Sequence, residues 1–260
     1  MSYENILLEI RDSIAIVTLN RPKVLNALNA STLRELDAAI HELSTNAAVR
    51  VILLTGAGEK AFAAGADIQE LAGVSAFDGH ALALRGQRVF DRIESCGKPV
   101  IACINGFALG GGCELALACT FRIAGEAAKF GQPEVKLGLI PGYGGSQRLP
   151  RLIGKGAALR LLLTGEMISA AEALRIGLVE EVVPSDQLLT RAEQIARTIA
   201  AQAPLAISKC IEAVHAGYDL PLRQALDLEA SLFGLCCATE DKVEGTKAFL
   251  EKRAATWTGK

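Results

Sequence analysis

The spacing of apolar and polar positions changes several times along this 260-residue chain. Two strand-like runs come first, NILLEI (5–10) and SIAIVTLN (13–20), and the charged pair Arg11 and Asp12 between them predicts a hairpin. Helical spacing follows in STLRELDAAIHELS (31–44). Leu33, Leu36, Ile40 and Leu43 share one face there, with Ser31 or Thr32 as the cap. VRVILLTG (49–56) and KPVIACING (98–106) read as buried strands. A loop, a short helix and a helix around 80–95 separate them, and TFRIAG (120–125) is a further strand candidate. Alternation of this kind to about residue 185 predicts an α/β domain whose sheets are covered by helices. Strand–loop–helix units recur without a clean repeat. From Asp186 onward the pattern is helical, with Pro204 and Pro221 where helices would start. Two regions are therefore expected: 1–185, and a tail over 186–260 of two to four helices packed on the main domain or on a neighbouring subunit.

Half of the residues are hydrophobic, enough for a sizeable core, and the net charge is −2. The 27 basic residues are scattered, which speaks against a nucleic-acid surface and leaves room for a local pocket for an anion. Seven cysteines, an odd number without a C-x-x-C pair, read as small buried residues in a reducing compartment. His41, His80 and His215 form no ligand-spaced cluster, so no metal site is expected. The first residues, MSYENILLEIRD, do not read as a secretory signal, and no apolar run is long enough for a bilayer. The expected location is cytoplasmic; a processed mitochondrial-type chain would read the same.

Three stretches could carry chemistry. In EKAFAAGADIQEL (59–71) small side chains leave backbone N–H groups accessible around Gly65, and Asp67 can cap a helix; a tight strand-to-helix turn explains the same residues. In FALGGGCELALAC (107–119) three glycines precede a helix at a cost to its stability. A helix starting near Gly111 would present free N–H groups, suited to an anion or a developing oxyanion, and Glu114 would lean toward the same mouth. The competing reading makes Glu114 a capping residue that bonds back to those amides. In KFGQPEVKLGLIPGYGGSQRLPRLIG (129–154) Pro133 and Glu134 resemble a helix start, within a loop rich enough in glycine and proline to wrap a ligand. GAGE at 56–59 lacks the lysine and serine of a phosphate loop, and Cys113 has no histidine near it in sequence.

Taken in order, LNRPKVLNALN, AFAAGADIQE, INGFALGGGCELALAC, KFGQPEVKLGLIPGYGGSQRLPRLIG, TGEMISAAEALRIGLVEEVVP and FLEKR resemble the enoyl-CoA hydratase (crotonase) family nearly end to end. The resemblance implies a fold of repeated ββα units in a spiral, forming the catalytic domain over 1–185, and a C-terminal helical trimerisation region. It implies homotrimers, commonly paired into hexamers. It implies an acyl-CoA thioester as substrate and no cofactor, because coenzyme A is part of that substrate; the even charge balance speaks against a nucleic-acid partner, and the lack of a long apolar run against a membrane. The family's oxyanion-binding amides match Ala66 and Gly111, and its two acid–base glutamates match Glu114 and Glu134. Ala64 and Ile68 match positions near the adenine and pantetheine, and Gly142 a backbone amide that helps hold the water. Lys23 and Lys252 fit roles near the CoA phosphates, and Phe249 the acyl or CoA pocket near a subunit boundary; for the lysines, solvated surface charges explain the sequence equally well. Relatives with other reactions keep the oxyanion amides and replace one or both acids, so the intact pair implies hydration of a trans-2-enoyl-CoA. An isomerase, or a hydroxyacyl-CoA dehydratase working in the biosynthetic direction, is the alternative. An RNA-binding relative or a silent scaffold subunit fits less well. Bulk in LAGVSAFDGH (71–80) is expected to limit acyl length.

Overall fold

The computed structural model describes residues 3–260. The hairpin forms from β1 (Ile6–Arg11) and β2 (Ile14–Leu19). Its turn is Asp12–Ser13, one residue later than expected, with both residues at positive φ, +48° and +61°, as a tight turn between twisted strands requires. Helix α1 (Ala30–Thr45) buries Leu33, Leu36, Ile40 and Leu43 as its spacing predicts. Its cap, however, is Asn29 rather than Ser31 or Thr32: the Asn29 side chain accepts from the Thr32 N–H at 2.8 Å.

Three units then repeat one order of elements, strand, strand, helix. The first is β3 (Val51–Gly56), β4 (Ala61–Ala64), the short α2 (Ile68–Leu71) and α3 (Ala76–Ser95). The second is β5 (Val100–Ile104), β6 (Phe107–Leu109) and α4 (Gly111–Leu117). The third is β7 (Phe121–Gly125), β8 (Lys129–Gly131), α5 (Gly145–Ile153) and α6 (Lys155–Thr164). Then come β9 (Met167–Ser169), α7 (Ala170–Arg175) and β10 (Glu181–Val183). In each unit the first strand joins a six-stranded sheet, in the order β1-β2-β3-β5-β7-β10, and the second joins a four-stranded sheet, β4-β6-β8-β9. The chain thus winds from sheet to sheet as a spiral. All pairings are parallel except β1 with β2 and β8 with β9.

Both faces of the larger sheet are covered, which is why its strands read as unbroken apolar runs. Ile52, Leu54, Ala102 and Ile104 face α1, α3 and α4, while Val51, Leu53, Ile101 and Cys103 pack on Leu188, Ala192 and Ala196. Those last residues belong to α8 (Leu188–Ala200), the first of four helices in the C-terminal region. The others are α9 (Pro204–Gly217), α10 (Leu222–Cys237) and α11 (Glu240–Glu251), with Pro204 and Pro221 at helix starts as expected. These three helices leave large apolar side chains in solvent, Leu222, Phe233, Phe249 and Leu250 among them. Of the cysteines, Cys103, Cys113 and Cys119 are buried as expected, but Cys210 and Cys237 are exposed.

Candidate active site

The three glycines do different jobs. Gly110 adopts φ +49° and ψ −123°, a conformation that side chains disfavour, and a Cβ there would stand 2.9 Å from Glu134 Oε1. Gly112 lets α4 press on β4, since its Cβ would collide with the Ala63 carbonyl. Gly111 is the first residue of α4, and a Cβ on it would stand 3.3 Å from the Ala66 nitrogen. Ala66 lies just beyond β4, where Gly65 at φ +96° turns the chain and the Asp67 side chain caps α2 by accepting from Gln69 N–H. Parallel pairing of β4 with β6 brings these two segments side by side. Among the described residues, no protein acceptor meets the N–H of Ala66 or of Gly111.

Glu114 sits one turn into α4 and is 2% exposed. Its Oε1 accepts from the backbone N–H groups of Tyr143 and Gly145, each at 2.7 Å. Tyr143 lies in the loop before α5 and Gly145 is the first residue of α5, so the carboxylate is not a cap of its own helix. Glycine at 145 is needed for that approach: a Cβ there would stand 3.0 Å from Glu114 Cγ. Burial raises the Glu114 carboxyl to about 7; the Gly145 amide opposes the shift and the Glu134 charge adds to it. A group poised near neutrality can both take and return a proton.

Glu134 lies in a single 3-10 turn, Pro133–Leu137, consistent with its proline–acid start. Burial raises its carboxyl as well. The buried amide of Gln132, with its nitrogen toward Glu134, stands 3.0 and 3.2 Å from the two carboxylate oxygens. Burial pushes the Cys113 thiol up to about 12, which leaves no thiolate at neutral pH.

Glu114 and Glu134 line one cleft of about 670 Å³. Ala64, Ala66, Ile68, Gly111, Glu114, Glu134 and Gly142 all face it, as do Leu71, Val74 and Gly79 from the 71–80 segment. Lys23, Phe249 and Lys252 do not line it. Lys23 sits on the turn Pro22–Val24, Phe249 is 84% exposed on α11, and Lys252 follows the end of that helix. Sequence reasoning missed Tyr143, Gly145, Gln132 and Gln87, whose side chain donates to the Gly142 carbonyl at 2.9 Å. The glycine-rich loop signalled a ligand, but nothing local says which of its amides meets Glu114. A second cleft of about 820 Å³ lies between α3, α5 and α9, lined by Arg148 and Arg151, which are ion-paired with Glu94 and Asp219.

Residues 9–260 match the family described as enoyl-CoA hydratase/isomerase. The chain is 49% identical over 260 residues to a crotonyl-CoA hydratase of Syntrophomonas wolfei, covering all of both chains. It is 48% identical over 253 residues to a short-chain-enoyl-CoA hydratase of Clostridium acetobutylicum, covering 97% of each. A crystal structure of an enoyl-CoA hydratase from Bacillus anthracis superposes with a TM-score of 0.95 at 43% identity, over 99% of this chain and 100% of that one.

Proposed function

The chain belongs to the enoyl-CoA hydratase/isomerase family and has its crotonase fold, and from that premise we propose that it adds water reversibly across the double bond of a trans-2-enoyl-CoA. The observation that carries this reading is the convergence of two carboxyl groups, the buried Glu114 and the half-buried Glu134, beside the paired N–H groups of Ala66 and Gly111.

The chemistry follows from those parts. The thioester oxygen accepts from Ala66 and Gly111. As water bonds to C3, the electron pair of the double bond moves toward that oxygen, and the two donors stabilise the resulting enolate. Each preorganised donor of this kind is worth about 3 kcal/mol. Glu114, held as an acceptor by the Tyr143 and Gly145 amides, takes the proton of the water, and Glu134 delivers one to C2. Acid–base groups so placed contribute about 10²–10⁴-fold. Burial raises both carboxyls and the Glu134 charge adds to the shift at Glu114, which favours one proton held between the pair. Gly142 adds a backbone group beside the water. No cofactor enters the scheme.

Ala64 and Ile68, at the cleft wall, suit the adenine and pantetheine. Lys23, Lys252 and Phe249 lie outside the cleft of their own chain, so they would act at the CoA phosphates and at a subunit boundary. Their part therefore depends on assembly. We propose a homotrimer, or a hexamer of two trimers, in which a neighbouring copy covers the apolar side chains of α10 and α11. The proposed location is cytoplasmic. Incubation with crotonyl-CoA in deuterated water tests the reaction: hydration yields 3-hydroxybutyryl-CoA with one deuterium at C2, whereas an isomerase would yield no hydroxyl product.

A further inference from the structure

We propose that the ring of Tyr143 is the floor of the acyl end of the cleft and sets the longest acyl chain that this protein hydrates, an inference that rests on the hydratase reading above. The backbone N–H of Tyr143 holds Glu114, so the ring starts beside the reacting carbons. One side of the ring faces α4, where a Cβ on Gly111 would stand 3.3 Å from Cδ2. The other side lies on α3, where a Cβ on Gly86 would fall 2.2 Å from Cδ1 and 2.4 Å from Cε1. Only glycine at 86 admits this ring. Behind it, Phe90 meets the ring edge-on, at 5.6 Å and 82° between planes, and is itself fully buried.

The ring therefore fills a slot between Gly86 of α3 and Gly111 of α4. A thioester whose oxygen lies between Ala66 and Gly111 sends the carbons past C3 beyond Glu114, toward this slot. The 71–80 segment offers a different kind of wall. Leu71 and Val74 are half-buried and Ala76 exposed, so that wall has solvent behind it and can yield. Tyr143, 4% exposed, has the core behind it and cannot. Replacing the ring with a smaller side chain would open the slot as far as the bare backbone of Gly86.

The test compares kcat/KM for crotonyl-, hexenoyl- and octenoyl-CoA among the wild type, Tyr143→Phe, Tyr143→Val, Tyr143→Ala and Val74→Ala, with folding checked by circular dichroism. The expected result is an octenoyl-to-crotonyl ratio at least about tenfold higher in Tyr143→Ala, a smaller rise in Tyr143→Val, and no change in Tyr143→Phe. A ratio within about twofold of the wild type in either folded small variant would overturn the inference, whether or not Val74→Ala shifts it. A wild type inert toward all three thioesters would overturn the hydratase reading, and this inference with it.

Discussion

The Cβ that Gly111 lacks would stand 3.3 Å from the backbone nitrogen of Ala66. Two residues 45 positions apart thus border one small space, and each presents beside it an N–H that meets no acceptor among the described residues. In the proposed reaction, a side chain at 111 would intrude on the place of the thioester oxygen. Gly111 is helical, so folding tolerates a substitution there far better than at Gly110, with its φ of +49°.

Gly111→Val is accordingly expected to lower kcat/KM by about 10²-fold or more, while crowding against Ala66 and the Tyr143 ring costs about 1–3 kcal/mol of stability. Gly110→Ala is expected to be the more destabilising change. Thermal melts and initial rates of the two variants check this. Normal turnover in folded Gly111→Val would remove the reason given for that glycine.

Stability should carry the signature of the Glu114 carboxyl. Its value rises from 4.5 in the unfolded chain to about 7 in the fold. Between these values the folded protein binds the extra proton, so the buried group destabilises the fold progressively as pH rises through the window. The full effect is on the order of 3 kcal/mol above neutrality and vanishes below the unfolded value. Glu114→Gln keeps an oxygen for the Tyr143 and Gly145 amides and never ionises. Its melting temperature should therefore exceed that of the wild type at pH 8 and approach it at pH 4. A difference that does not vary with pH would contradict the assignment.

How much of this was legible depended on element length. The hairpin, α1, β3, β5 and β7 are long enough for spacing or an apolar run to show, and α4 follows its glycines. The strands β4, β6, β8 and β9 span only three or four residues each, too short to show a period. They exist because the spiral lays them beside one another. The same limit applies at the site. Glu114 can be aimed from its helix, but its hydrogen-bond donors lie 29 and 31 residues away. Those contacts are made by the fold, and they set aside the reading in which that residue caps its own helix.

Assembly gives a separate prediction. With Leu226, Phe233, Leu235 and Leu250 all more than half exposed, light scattering on the eluted protein should return three or six chain masses. Phe233→Glu should shift the population toward smaller species, because a charge on a covered apolar face opposes association. A wild type that elutes as a monomer would leave these side chains in solvent and contradict the trimer.

The most direct measurement follows the loss of the conjugated thioester absorbance of crotonyl-CoA with the wild type, Glu114→Gln and Glu134→Gln, each verified as folded. The account predicts rapid loss in the wild type and a fall of about 10²–10⁴-fold in each variant. A wild type that leaves the absorbance unchanged, or a variant of either glutamate that keeps the full rate, would contradict the two-glutamate hydratase.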